Sequence, residues 1–187
     1  MNFIPTKEMR YANALRNFLQ KRGIKDKEKQ ILSLFLYEAV FCKTTYEMTV
    51  DIEDITDAIF GALFIIATRK GKKIETQKGR GDNVKINVKL YEILLSAIVF
   101  AAEEKIFVTA DFFGHFINIK FVGNFRNNLY KKVAALMGGV CLKDVKTGKN
   151  AVFIPVNKSI EKAKKYKSEI DLIRCQNSAI YLLSEML

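Results

Sequence analysis

The chain has 187 residues, 49% of them hydrophobic, which is enough to build a sizeable core in one or two domains. Its 31 lysines and arginines outnumber its 20 acidic residues, and the resulting formal charge of +11 favours acidic partners, although it also serves solubility. The most apolar stretch, residues 55–67, contains Thr56 and Asp57 and is too short for a bilayer, which excludes a membrane span.

The first third of the chain predicts three helices, over residues 6–21, 26–48 and 51–70. Acidic residues at the start of the third helix and basic residues at its end suit the helix dipole. The connection at Thr49 and Val50 is so short that the second and third helices are predicted to form an antiparallel hairpin.

This hairpin has an apolar face that would be exposed to solvent in a single copy of the chain. Pairing with a second chain would bury that face in a four-helix bundle, so we expect a homodimer. The alternative is that the first or last helix of the same chain covers the face. A polar break follows residue 71, and we place a domain boundary there, with residues 1–72 as the helical dimerisation hairpin.

Residues 73–157 predict a second domain in which helices and strands alternate. Asn87 caps a helix, two strands follow, a further helix ends at Gly138 and Gly139, and two more strands close at Pro155. The fold class is therefore α+β, an α/β sandwich with helices on one face of a sheet. Residues 158–187 read as a C-terminal helical tail.

The order of these elements over residues 27–157 resembles the helical bundle and ATP-binding domain of histidine kinases, which implies a role in two-component signalling. Residues 90–101 look like the kinase asparagine box, of the form Leu-x-x-Val-Leu-x-Asn-Leu-x-x-Asn-Ala. Residues 131–139 resemble the helix that leads into the Gly-Gly turn, and residues 148–155 resemble the closing strand.

The residues that would hold a nucleotide in this family differ here. The two asparagines of the box fall on Ser96 and Phe100, and a phenylalanine offers magnesium no oxygen ligand. The aspartate of the Asp-x-Gly-x-Gly box falls on Phe121, with Gly123 as its single glycine, and strand runs into helix without a lid. The resemblance therefore implies a degenerate member, with no ATP hydrolysis, nucleotide cofactor or metal.

Similar phosphotransferases of sporulation-type phosphorelays act through a histidine on the first bundle helix. The single histidine of this chain, His115, lies instead in a predicted strand hairpin, so it is a weak candidate for a phosphoryl acceptor and is better interpreted as a surface residue. Cys42, Cys141 and Cys175 are widely spaced and follow no signal peptide, which indicates a reducing cytoplasm and buried thiols.

We therefore predict a non-catalytic regulatory protein that docks a response-regulator receiver or a histidine kinase. Its expected contact residues lie on the second helix, at Tyr37, Glu38, Lys43 and Tyr46. One alternative is a phosphotransferase with an unconventional acceptor. The other is a nucleic-acid binder, which the charge supports but which lacks a recognisable reading motif and clearly interleaved aromatics. The basic runs at residues 69–73 and 158–167 are interpreted as solvated helix ends.

Overall fold

The computed structural model of the protein describes residues 47–77, 79–126 and 128–163. These ranges contain eight strands and three helices. In chain order they are β1 (Glu47–Asp51), α1 (Ile52–Arg69), β2 (Lys73–Gln77), β3 (Asn83–Asn87), α2 (Val88–Ala101), β4 (Ala102–Phe113), β5 (Phe116–Phe125), α3 (Leu129–Leu136), β6 (Val140–Lys143), β7 (Asn150–Pro155) and β8 (Asn157–Lys158).

The strands form two sheets, and together with the helices they confirm the predicted α+β class. The larger sheet has the order β2-β4-β5-β7-β6, in which β2 runs parallel to β4 and the other pairs are antiparallel. The smaller sheet has the order β1-β3-β8 and is antiparallel.

Buried residues alternate with more exposed ones along the long hairpin of β4 and β5, and this alternation distinguishes the two faces of the larger sheet. Val108, Ile117, Ile119 and Phe121 are fully buried and point into the core shared with the helices, while the residues between them are exposed or half-buried. This period of two is expected for strands with one face packed and the other open. The predicted placement of helices on one face of the sheet is therefore confirmed.

Helix α1 begins where the sequence predicts it. The Asp51 carboxylate accepts hydrogen bonds from the backbone N–H groups of Glu53 and Asp54 at 2.9 and 3.0 Å, which caps the first turn. Ile55, Ile59, Leu63 and Ile66 lie along its buried side. Their spacing of three or four residues places them on one stripe of the helix.

The predicted tight connection between two helices at Thr49 and Val50 is wrong. These residues lie in β1, which pairs antiparallel with β3 and places Val50 opposite Val84. Thr49 and Val50 are β-branched, and Val50 is fully buried while its neighbours in β1 are more exposed, so strand pairing prevails over a helical turn. Residues 1–46, which carry the rest of the predicted hairpin and bundle, lie outside the described residues.

The packing of α1 also bears on the boundary that was predicted near residue 72. Buried residues of α1 belong to the same hydrophobic cluster as those of α2 and the larger sheet, so the core continues across this point among the described residues. The division into residues 1–72, 73–157 and 158–187 stays a prediction for the chain as a whole. None of the described helices is long and apolar enough to cross a membrane.

Candidate functional site

Helix α2, which carries the asparagine-box resemblance, lies at the centre of the molecule. The Asn87 side chain accepts a hydrogen bond from the backbone N–H of Leu90 at 3.1 Å, so the predicted cap is confirmed. Every residue from Val88 to Ala101 is buried, including the polar Lys89, Glu92 and Ser96. A helix buried on all sides presents no open face to a ligand.

At both positions that the resemblance aligns with the asparagines of the box, the side chain is buried in the core. The Ser96 hydroxyl donates to the backbone carbonyl of Glu92, one turn earlier, at 2.7 Å. Phe100 is fully buried, and the Lys72 ammonium lies 6.0 Å from the centre of its ring. The hydroxyl is therefore satisfied within the helix, and the ring belongs to the core.

Three aromatic rings pack between β5 and α3. Phe121 contacts Phe125 and Tyr130 edge to face, with ring centroids 5.3 and 5.0 Å apart, and Phe125 lies 6.0 Å from Tyr130. Such arrangements contribute beyond simple area burial. We call these three residues the aromatic cluster. It includes Phe121, which the sequence resemblance aligns with the aspartate of the Asp-x-Gly-x-Gly box.

The backbone around the aromatic cluster is compact. At Gly123, an added Cβ would lie 3.0 Å from the backbone oxygen of Lys105 and 3.5 Å from the Phe125 ring. Strand β5 ends at Phe125 and α3 begins at Leu129, so the connection is as short as the sequence predicts. Close backbone approach explains why a glycine stands at position 123.

The end of α2 is held by a lysine that the sequence analysis misread. The Lys72 ammonium donates to the backbone carbonyls of Phe100 and Ala102, both at 2.6 Å. Burial, with the nearby charges of Arg126 and Lys70, lowers its pKa. The interpretation of residues 69–73 as a solvated helix end is therefore wrong for Lys72, which binds the carbonyl end of a different helix.

Glu92 is a further buried charge-bearing residue that the sequence analysis did not single out. Both of its carboxylate oxygens are buried without a hydrogen-bond partner among the described residues. Burial raises its pKa to about 8, and the charge of Lys89 opposes that shift. The available signal was an acidic residue inside an otherwise apolar helical run.

His115 lies in the turn that joins β4 to β5, and it is exposed. Its backbone carbonyl accepts a hydrogen bond from Val156 N at 2.8 Å. Cys141 is a free thiol on β6, and burial raises its pKa, which disfavours the reactive thiolate. Within the described residues, no group of three or more histidines, cysteines and carboxylates is placed to hold a metal ion.

The predicted nucleotide positions lie on two of the described elements, whereas the predicted contact surface lies outside the described residues. Ser96, Phe100, Phe121 and Gly123 all lie on α2 and β5, and the first three are buried. The expected partner-binding residues lie outside the described ranges and stay predictions: Tyr37, Glu38, Lys43 and Tyr46. Cys42 and Cys175 lie outside them as well.

No family model and no curated protein matches the chain. Among solved structures, it is similar to a mycobacterial sensor histidine kinase, MprB, at 11% identity and a TM-score of 0.43, covering 60% of this chain and 99% of that one. It is also similar to the Acinetobacter baumannii histidine kinase AdeS, at 11% identity and a TM-score of 0.46, covering 81% and 96%.

The ATP-binding domain of PrrB from Mycobacterium tuberculosis is a third similar structure. It is 16% identical, with a TM-score of 0.45, over 60% of this chain and 98% of that domain. The first two structures are histidine kinases, and the third is an ATP-binding domain. At such low identities and TM-scores below 0.5, the similarities carry no argument about what this chain does.

Proposed function

We propose that this chain is a non-catalytic, histidine-kinase-like regulatory protein that docks a response-regulator receiver or a histidine kinase in two-component signalling. The observation that carries the proposal is the aromatic cluster, in which Phe121 packs edge to face against Phe125 and Tyr130. By the sequence resemblance, the same place in kinases reads adenine. A buried phenyl ring cannot accept the hydrogen bond that an adenine amino group offers.

The position that matches the magnesium-binding asparagine supports the same conclusion. Phe100 is fully buried and offers no oxygen, whereas magnesium requires oxygen ligands in near-octahedral geometry. A nucleotide could enter this region only by displacing packed rings, and that displacement would sacrifice the core contacts described above. The region therefore serves the stability of the domain.

The formal charge of +11 favours an acidic partner. Receiver domains carry an acidic phosphorylation pocket, so a basic surface would speed their encounter and orient them. Tyr37, Glu38, Lys43 and Tyr46 remain the proposed contact residues, and a cytoplasmic homodimer remains the proposed form. Both parts of the proposal rest on the sequence analysis.

A thermal shift experiment tests the loss of the nucleotide site. A ligand present at 100 times its dissociation constant would stabilise the protein by about 2.7 kcal/mol, so a functional site would give a clear rise in Tm. We expect no rise with magnesium and ATP, and a kinase with an intact site serves as the positive control. A saturable rise, or measurable release of phosphate from ATP, would refute the proposal.

Docking is tested by measuring binding to the receiver domains and kinases of the same genome. We expect one or a few of them to bind in a salt-sensitive manner, and Lys43→Glu to weaken that binding more than Lys132→Glu, which makes the same change on the exposed side of α3. Absence of binding across the whole panel would refute docking. Transfer of acid-labile label from a phosphorylated receiver, abolished by His115→Ala, would favour the phosphotransferase instead.

A further inference from the structure

The larger sheet has one face that the described helices do not cover. In β4 this face carries the odd-numbered residues from Lys105 to Phe113, and in β5 the even-numbered residues from Phe116 to Val122. None of these residues is buried, whereas their neighbours on the opposite face are. We call this surface the open face. Antiparallel pairing keeps directly opposed residues on the same side of the sheet.

Aromatic rings stand at both ends of the open face. Phe113 and Phe116 are direct partners at one end, and they are 78% and 46% exposed. Phe107 is 40% exposed and lies six residues back along β4, which corresponds to roughly 20 Å of strand. Exposed rings on a sheet provide flat apolar surfaces on which nucleic-acid bases stack.

A groove of about 310 Å³ lies on the open face and is bordered by Phe107. Its lining includes Thr109, Asn118, Lys120 and Lys149. The Asn118 side-chain oxygen is buried, with no hydrogen-bond partner in the part of the chain that the structure describes. Lys120 and Lys149 are exposed, and their ammonium groups suit phosphates.

Two acidic residues on this face, Glu75 and Asp111, contact neighbouring groups, while Glu103 and Glu104 are exposed beside Phe107. Glu75 of β2 forms ion pairs with Lys73 at 3.2 Å and with Lys105 at 3.1 Å. The Asp111 carboxylate accepts a hydrogen bond from the backbone N–H of Arg80 at 2.7 Å. The groove lining holds Lys120 and Lys149 against one carboxylate, Asp111, so its formal charge is positive, in a chain whose formal charge is +11.

We propose that the open face binds single-stranded nucleic acid. Bases stack on Phe107 at one end and on Phe113 and Phe116 at the other, and the backbone between them passes Lys120 and Lys149. The mode is tolerant of sequence, because every base offers a flat face. A duplex binds less tightly, because its bases are already stacked on one another. This function is separate from the proposed docking function and uses different residues.

The test is fluorescence anisotropy with the full 187-residue chain and a labelled 12-nucleotide oligomer, as poly-dT, as poly-U and as a blunt mixed-sequence duplex. We expect both single strands to bind more tightly than the duplex. The double variant Phe113→Ala, Phe116→Ala weakens single-strand binding about tenfold or more, since each ring supports one base. Phe116→Tyr keeps the ring and keeps the affinity.

Two control variants distinguish stacking and charge on the open face from the loss of a ring or a charge elsewhere on the protein. Phe64→Ala removes a 56% exposed ring from α1, away from the sheet, and leaves the affinity unchanged. Lys120→Gln reduces the slope of log affinity against log salt by about one, while Lys132→Gln on α3 makes the same charge change with no such effect.

Three results overturn the proposal. The first is absence of binding to either single strand at low salt. The second is equal affinity for duplex and single strand with no effect of the phenylalanine variants, which indicates attraction by net charge alone. The third is loss of a protein partner in the Phe113→Ala, Phe116→Ala variant while oligomer binding is retained, which assigns the face to a protein interface.

Discussion

The Thr56 hydroxyl on α1 and the Tyr91 phenol on α2 lie 2.7 Å apart, in a hydrogen bond buried between the two helices. Tyr91 is fully buried, and that burial raises its pKa, so the phenol stays protonated. A buried hydroxyl that loses its partner bears the full cost of desolvation. The bond therefore holds α1 to the helix that forms the centre of the core.

We expect Thr56→Val, which keeps the side-chain shape, to lower the free energy of unfolding by about 1–3 kcal/mol. Tyr91→Phe is expected to have a similar effect. The double variant should lose less than the sum of the two, because both partners are then removed. Urea unfolding measures all three. Thr68→Val, at an exposed position on the same helix, is the control. Additive losses would show that the two groups do not interact.

Phe121→Ala is expected to destabilise the fold strongly, because Phe121 is fully buried and contacts both other rings of the aromatic cluster. Buried phenylalanine-to-alanine changes cost about 3–5 kcal/mol. Phe113→Ala removes the same ring from an exposed position and is expected to stay within about 0.5 kcal/mol of the parent. Thermal and urea unfolding compare the two variants.

A small effect of Phe121→Ala would mean that the cluster contributes little to stability. In that case the rings between β5 and α3 could be displaced at little cost, and a nucleotide could enter that space. Phe113→Ala also tests the open face, since a stable variant allows its effect on oligomer binding to be measured without unfolding.

Gly139→Ala tests the turn after α3. A Cβ at this position would lie 2.9 Å from the backbone oxygen of Ala134 and 3.0 Å from that of Phe153, and backbone cannot move as easily as a side chain. We expect a loss of about 1–3 kcal/mol on urea unfolding. Gly148→Ala, where the added Cβ meets open space, is the comparison and should lose about 1 kcal/mol through its positive φ alone. Equal losses would show that the close approach is relieved by small shifts.

Much of the fold was predictable, because its elements carry strong local signals. The cap at Asn87, the acidic start of α1 and the strand hairpin of β4 and β5 each follow from local chemistry, and the structure confirms them. The order of helices and strands then gave the α+β class. These signals operate within one turn or one strand, so a single sequence contains them.

The features that the sequence did not predict correctly depend on contacts between residues that are distant in sequence. Thr49 and Val50 form a strand because β3, more than thirty residues later, offers its edge for pairing. Lys72 reaches the end of α2, which is 28 residues away in sequence at Phe100. The aromatic ends of the open face become visible only when β4 and β5 are placed in register. Local periodicity does not encode such pairings.

Glu92 gives the final prediction, which concerns pH. Burial raises its pKa to about 8 in the folded state, despite the opposing charge of Lys89, whereas an exposed glutamate ionises near about 4.3. Between these values the folded state binds more protons than the unfolded state, so the free energy of unfolding falls as pH rises. The stabilisation is fully present below about pH 4 and is lost by about pH 8.

Glu92→Gln removes this titration but keeps the shape of the side chain. Any cost of burying the amide is constant with pH, so it cancels when two pH values are compared. The gain of Glu92→Gln over the parent should therefore be larger at pH 8 than at pH 5, by on the order of 3 kcal/mol. Urea unfolding at both pH values measures this difference. Glu103→Gln, at an exposed position on β4, accounts for the change in net charge. Parallel pH profiles for the parent and Glu92→Gln would show that the carboxyl group reaches water or a partner in the folded protein.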